Sequence, residues 1–456
     1  MMIEEAGVGG RSTVIKETGK SNGYRKQLEL YFHIPFCVRK CLYCDFLSAP
    51  GDVDTKDRYM EALLTETVGS ALRYADYRVT SVFIGGGTPS VVRASYIAEL
   101  MDAVRAHYDL AEDAELTIEV NPGTVSGEAL RTFRKAGINR LSIGLQSADD
   151  RELAAIGRIH TWQQFLEAFR AARQAGFSNI NVDIMSALPG QTLSGYRRTL
   201  EKVLALEEEP EHISAYSLIL EEGTPLYDRY EKGELELPDE DTDREMYRET
   251  KRILARAGYE RYEISNYAKK GYECRHNCGY WQRKDYAGFG IGAASLVENV
   301  RFRNGADLLA YLAAPLGCRE DEQVLGRQEQ MEEFMFLGLR MRSGVDCGEF
   351  RRLFGCGMEE VYGEVIRKNA EDGLLRYLPG DGESPRVGTS MSGDREAPSA
   401  GISMPGDREA PRAGTGVPGD RESPHAGIRM SADNMRLALT DRGLDLSNYV
   451  MAQFLN

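Results

Sequence analysis

Strand-like and helix-like stretches alternate about six times along the first half of this chain. Runs rich in apolar and β-branched residues fall at Leu28–His33, Val79–Gly85, Glu115–Val120, Arg140–Leu145, Asn179–Met185 and His212–Leu218. Between them lie helical periods, among them Asp54–Tyr74, Ala94–His107, Thr161–Ala175 and Ser194–Leu206. Strand followed by helix, repeated in this way, predicts an α/β fold with a parallel sheet and crossover helices. In such folds functional groups gather at the C-terminal ends of the strands.

The first strand runs straight into Cys37, Cys41 and Cys44, a C-x3-C-x2-C spacing. Three thiolates this close on one loop can hold three corners of a [4Fe-4S] cluster. Electron-transfer clusters use four cysteines, so here the fourth iron would keep an open position for a small molecule. The competing reading is a zinc site, with His33 as a fourth ligand. The other cysteines, Cys274, Cys278, Cys318, Cys347 and Cys356, are scattered. Cys274 and Cys278 could form a second metal site, but unpaired thiols are the plainer reading. This usage fits a reducing cytoplasm better than a disulfide framework.

A chain of 456 residues can bury the cores of two or three domains. Its net charge is −15 and it has no long Lys/Arg run, which argues against a general nucleic-acid binder. No apolar run approaches a membrane span, and the acidic start Met1-Met2-Ile3-Glu4-Glu5 lacks a signal-peptide pattern. Peripheral membrane association stays open. Residues 1–26 are polar and Gly-rich and are expected to form a flexible leader. Residues 27–240 hold the alternating pattern, 241–328 link, and 329–456 form a C-terminal domain. Within the latter, 379–432 repeat a thirteen-residue unit, with Gly380, Gly393, Gly406 and Gly419 in register. Rich in Gly, Pro and Ser, and without Phe, Tyr or Trp, this segment offers no apolar face to offset its ordering entropy and is expected to be a disordered insertion.

Further motifs follow the cysteines in order. Gly85-Gly86-Gly87-Thr88-Pro89 follows the second strand, and glycine lets a ligand approach the backbone. Glu119 and Asn121 end the third, Gln146 ends the fourth, Arg158 lies in Gly157-Arg158-Ile159-His160, and Asp183 lies in the fifth. Together with the cysteine spacing, these motifs resemble the radical S-adenosylmethionine (SAM) superfamily, in the branch of the oxygen-independent coproporphyrinogen III oxidases. The resemblance covers about Leu28 to Ala294 and resumes from about Glu329 to the end. It implies a partial (β/α)6 barrel with a small winged-helix-like α+β domain. It also implies that Cys37, Cys41 and Cys44 ligate the cluster and that SAM chelates the open iron, to be cleaved by an electron from a reductant such as flavodoxin or ferredoxin. By the same resemblance Tyr31, Phe46, Gly86, Gly87, Thr88, Glu119, Gln146, Arg158 and Asp183 form the SAM-contacting set. Arg158 would pair with the SAM carboxylate, as a guanidinium fork suits, and Asp183 would hold the ribose. No residue is assigned as catalytic.

Two features divide the branch. Its oxidases carry an extra cysteine two residues after the third cluster ligand; here Phe46 stands in that place. His276-Asn277-Cys278-Gly279-Tyr280-Trp281 resembles the H-N-x-x-Y-W motif of the branch's heme chaperones. His276 is then a candidate heme ligand, with Tyr280 and Trp281 packing on the porphyrin; the plain alternative is a polar loop histidine beside core aromatics. The resemblance implies a cytoplasmic protein that binds heme and hands it to respiratory hemoproteins. A coproporphyrinogen oxidase and another radical SAM transferase are the alternatives.

Overall fold

A computed structural model describes residues 25–380 and 432–455. The expected leader up to residue 24 and most of the repeat segment, 381–431, lie outside the described residues. The chain divides into two compact units. The first comprises the residues up to Gly258 with Cys274–Gly279 and Lys284–Val324; the second comprises Tyr259–Glu273, Tyr280–Arg283 and the chain from Leu325 on.

In the first unit β1 (Lys26–Ile34), β2 (Tyr77–Gly86), β3 (Asp109–Val120), β4 (Arg140–Gln146), β5 (Ile180–Ser186) and β6 (His212–Ser217) lie side by side in chain order. Every neighbouring pair is parallel. All six were legible as strands, because parallel strands covered on both faces read as apolar runs. The crossover helices start where side chains can cap them. Asp52 caps Val53–Ser70, Ser126 caps Gly127–Lys135, Thr161 caps Trp162–Gln174 and Thr192 caps Leu193–Leu204. Each such cap contributes about 1 kcal/mol.

The stretch 241–328, expected to link, is divided. The antiparallel pair β7 (Glu260–Arg261) and β8 (Asn266–Ala268) groups with the second unit. β9 (Tyr286–Phe289) joins β1 in parallel on the first unit, followed by antiparallel β10 (Ala294–Val297), β11 (Val300–Asn304) and β12 (Arg319–Val324). The sheet of that unit is therefore mixed, in the order β12-β11-β10-β9-β1-β2-β3-β4-β5-β6.

Along β1, Leu28, Leu30, Phe32 and Ile34 are fully buried in the apolar core, while Glu29, Tyr31 and His33 alternate with them on the other face. Polar residues of the neighbouring strands meet on that same face. Asn181 donates to Ser142 Oγ and Asp183, and its carbonyl faces His212 and Ser214. The inner face of the barrel is thus a polar, hydrogen-bonded layer.

The second unit carries β13 (Val345–Asp346), β14 (Leu375–Pro379) and β15 (Met435–Leu439), antiparallel in the order β13-β15-β14. Its helices, including Arg327–Gly338, Cys347–Phe354 and Met358–Glu371, close over Met335, Phe350, Leu437, Val450 and Phe454. Pro379 lies opposite Met435 in β14–β15, so the repeat segment departs from and returns to two paired strands. Among the described residues no helix is long and apolar enough to cross a membrane.

One buried carboxyl ties the late strands to the first crossover helix. Glu66, 5% exposed, accepts from Tyr311 Oη at 2.7 Å, Gly290 N at 2.8 Å and Asn304 Nδ2 at 2.7 Å. A buried donor left without its acceptor costs about 1–3 kcal/mol. Glu66→Ala is expected to lower the urea unfolding free energy by on the order of 3 kcal/mol, and Glu66→Gln by less, since the amide oxygen still accepts. An unchanged midpoint for the alanine variant would refute this role.

Candidate functional site

The cysteine loop leaves the C-terminal end of β1 and is held at several points. Cys37 N donates to Ala49 O and Ala49 N to Pro35 O. Leu42 N donates to Ile156 O, Leu42 O accepts from Leu226 N, and the Arg39 guanidinium reaches Gly157 O at 2.9 Å. A loop fixed this way presents its side chains in a set arrangement before any ligand arrives. The three thiols are free and partly exposed. Burial raises the Cys44 thiol above its ordinary value. Among the described residues no three His, Cys, Asp or Glu side chains converge on a point that could hold a single metal ion. The cysteines of a cubane bind separate irons and need not converge on one point.

Two of the thiols are joined through other candidate residues. Thr88 Oγ1 donates to Cys37 Sγ at 3.4 Å and accepts from Asn121 Nδ2 at 2.8 Å. Asn121 Oδ1 accepts from Arg158 Nη2 at 2.6 Å, and Arg158 Nη1 reaches Cys41 Sγ at 3.6 Å. The hydroxyl and the guanidinium are thus directed at two of the three sulfurs. Arg158 also donates to Gly144 O, while its Nε is buried without a hydrogen-bond partner, a donor still open to an anionic ligand.

The glycines bring the β2 terminus against this loop. Gly87 N donates to Ile34 O and Thr88 N to Phe36 O at 2.7 Å. A Cβ at Gly87 would stand 2.7 Å from Phe36 O, so only glycine fits. Gly86 N donates to Glu119 Oε2 at 3.1 Å. Burial first, then the neighbouring Asp183, pushes the Glu119 carboxyl up to about 8; burial also raises Asp183. Gln146 adopts a left-handed backbone and accepts from Tyr216 Oη at 3.2 Å. Tyr31 Oη lies 3.0 Å from His33 Nδ1, and His33 Nε2 lies 2.8 Å from Leu47 O. A carbonyl can only accept, so His33 carries its proton on Nε2 and Tyr31 donates to Nδ1. Phe46 stands apart: it is 62% exposed, and its backbone is engaged, the carbonyl accepting from Lys40 Nζ and Ser48 Oγ and the amide facing the Cys44 thiol. Asn121 was legible as part of a motif, but its bridging role was not. Tyr216 was missed because it is one aromatic in an ordinary strand.

The residues expected at heme are arranged differently. His276 is 1% exposed. Its Nδ1 lies 2.8 Å from Ser81 Oγ, its ring stacks on Phe83, and its backbone N donates to Glu115. Burial lowers its pKa to about 3, so the ring is neutral. In this arrangement the enclosed His276 ring anchors its helix to the barrel's inner layer. Gly279 packs against the Glu29 carboxyl so closely that a Cβ would collide with it. Tyr280 and Trp281 group with the second unit, where the Arg340 guanidinium lies 4.2 Å from the Trp281 ring centre. The indole Nε1 is buried without a hydrogen-bond partner.

Two outcomes follow from this geometry. Folded Glu119 keeps its proton up to about pH 8, against 4.5 ordinarily, so the native chain binds more protons than the unfolded one in that window. The part of the metal-free chain's stability that Glu119 contributes is expected to be lost as pH rises from about 4.5 to 8, so the stability difference between the native chain and Glu119→Gln should carry that slope; the lowered histidines, His276 among them, act in the opposite sense at lower pH and are common to both proteins. Urea midpoints against pH measure it, and equal slopes in both proteins would sink the assignment. Asn121→Ala removes the bridge between Thr88 and Arg158. It is expected to lower iron and sulfide retained after anaerobic reconstitution by several-fold, with the fold intact by circular dichroism; full retention would show the bridge to be dispensable.

Comparison with known proteins matches residues 31–203 to the Radical SAM superfamily and 325–377 to the HemN C-terminal domain. The heme chaperone HemW of Lactococcus lactis subsp. lactis (strain IL1403) is 39% identical over 352 residues, covering 77% of this chain and 91% of that one. The heme chaperone HemW of Bacillus subtilis (strain 168) is 37% identical over 352 residues, covering 76% and 92%. Among solved structures, coproporphyrinogen III oxidase (HemN) from Escherichia coli, a radical SAM enzyme, superposes with a TM-score of 0.71 at 20% identity, covering 94% of this chain and 90% of that one. This likeness establishes the α/β radical SAM fold with its small C-terminal domain. The chain belongs to the HemW family of the radical SAM superfamily.

Proposed function

We propose that this chain is a heme chaperone that binds heme, one [4Fe-4S] cluster and SAM, and delivers heme to respiratory hemoproteins. The observation that carries the reading is the 39% identity to a protein named heme chaperone over 91% of its length. Membership of the radical SAM superfamily implies the cluster and SAM. When bound, they supply one-electron cleavage of the SAM sulfonium; the chain's residues bind, orient and shield.

In this reading Cys37, Cys41 and Cys44 hold the cluster, with Thr88 and Arg158 directed at two of the sulfurs. Arg158 Nε is open to the SAM carboxylate. Glu119 and Asp183 are both raised by burial, which Arg140, joined at Asp183 by Arg158, offsets only in part. A ligand bearing sulfonium and ammonium charge would add to that compensation. Tyr31, Gly86, Gly87 and Gln146 complete the contacts, with Phe46 at the rim. Phe46 in the place of the oxidases' additional cysteine supports a chaperone over coproporphyrinogen oxidation. Heme binding is proposed without His276 as a ligand in this conformation. A cytoplasmic setting and a flavodoxin or ferredoxin reductant belong to the same reading.

Anaerobic titration of the reconstituted protein with heme, beside an assay with coproporphyrinogen III, SAM and reductant, tests it. Stoichiometric heme binding without protoporphyrinogen formation is expected. Turnover to protoporphyrinogen, or no heme binding, would overturn it.

A further inference from the structure

At the N-terminal ends of β1, β2 and β3, the opposite end of these strands from the cysteine loop, the first unit opens a cleft of about 570 Å³. Arg25, Arg78, Arg275 and Lys284 line it, with Glu29 and Thr80. Four cations at one place stand out in a chain of net charge −15. Two are balanced: Arg25 pairs with Asp109 at 2.9 Å and Arg275 with Asp113 at 3.1 Å. Among the described residues Arg78 and Lys284 have no ion pair; Arg78 acts on Asp113 only through space, and Lys284 on Glu29 likewise.

Glu29 does not neutralise the surplus. Its side chain is 1% exposed, and its Oε2 has no hydrogen-bond partner. Oε2 lies 3.8 Å from His276 Nδ1, but that ring is neutral and its Nδ1 faces Ser81. Burial pushes the Glu29 carboxyl up to about 8, so near neutral pH it is mostly an uncharged acid with a proton to donate. The cleft therefore keeps two positive charges unbalanced above a buried polar group with unused hydrogen-bonding capacity.

We propose that this cleft binds a pair of carboxylates, with Arg78 and Lys284 supplying the charge that no residue of the cleft neutralises. Charge-assisted bonds from guanidinium and ammonium groups to carboxylates are the strong class of hydrogen bond. The carboxylates would come from a free dicarboxylate or from the two propionates of a porphyrin. The porphyrin source rests on the heme-chaperone reading; the free one does not. With Gln27, Thr80 and charged groups around it, the cleft suits the carboxylates and leaves an apolar macrocycle outside.

The test uses the full reconstituted chain and its Arg78→Ala/Lys284→Ala double variant, neither position belonging to the proposed cluster or SAM site. Succinate protection against thermal unfolding is measured in both, and heme and heme dimethyl ester are titrated into both. Protection by succinate that is lost in the variant supports the cleft with a free dicarboxylate as occupant. Heme binding at least tenfold tighter than its dimethyl ester, with the difference lost in the variant, supports it with the propionates as occupant. Succinate without effect, together with heme and ester binding alike in both proteins, overturns the proposal. Failure of heme to bind at all, with succinate protection intact, would sink the chaperone reading and leave the cleft standing. Should the double variant not fold, Arg78→Gln at an exposed position makes the same comparison.

Discussion

The parallel register of β1 to β6 is the constraint on which the site depends. Each parallel crossover returns the chain to the same end of the sheet, so the segments leaving successive strands emerge side by side. The cysteine loop after β1, the glycines after β2, Asn121 after β3 and Arg158 after β4 are far apart in sequence. In space they form one hydrogen-bonded chain from Cys37 Sγ to Cys41 Sγ. An antiparallel arrangement of the same strands would send alternate loops to the opposite end and break it.

The second constraint is the polar inner face. Burying groups such as Glu29, Glu115, Asn181 and His212 costs free energy unless they are paired. Most of that cost is offset by pairing within the layer, as around Asn181 and between Glu115 and the backbone of Arg275 and His276. Where pairing is incomplete, at Glu29, Glu119 and Asp183, burial favours the protonated acid. Those are the places where a ligand has most to contribute, because it meets groups that their protein partners compensate only in part.

His276 illustrates how a motif and its environment can point different ways. Its residue type and neighbours suggested an iron ligand; its surroundings make it a neutral, enclosed anchor between Ser81, Phe83 and Glu115. A one-dimensional motif reports which side chains are available and says nothing about what covers them. Gly279, unremarked in the motif, is explained only by the Glu29 carboxyl packed against it.

By itself the sequence determined the six core strands, their crossover helices, the three-cysteine loop and the family resemblance. These rest on local spacing: apolar runs bounded by turns, and ligands a few residues apart. Tertiary structure alone decided that β9 to β12 extend the sheet from β1, that Asn121 bridges Thr88 and Arg158, and that His276 is enclosed. It alone placed Arg78 and Lys284 beside a neutral Glu29. Each of those outcomes depends on pairing between residues tens to hundreds of positions apart, and burial and local field, which set charge and access, exist only once those partners have met.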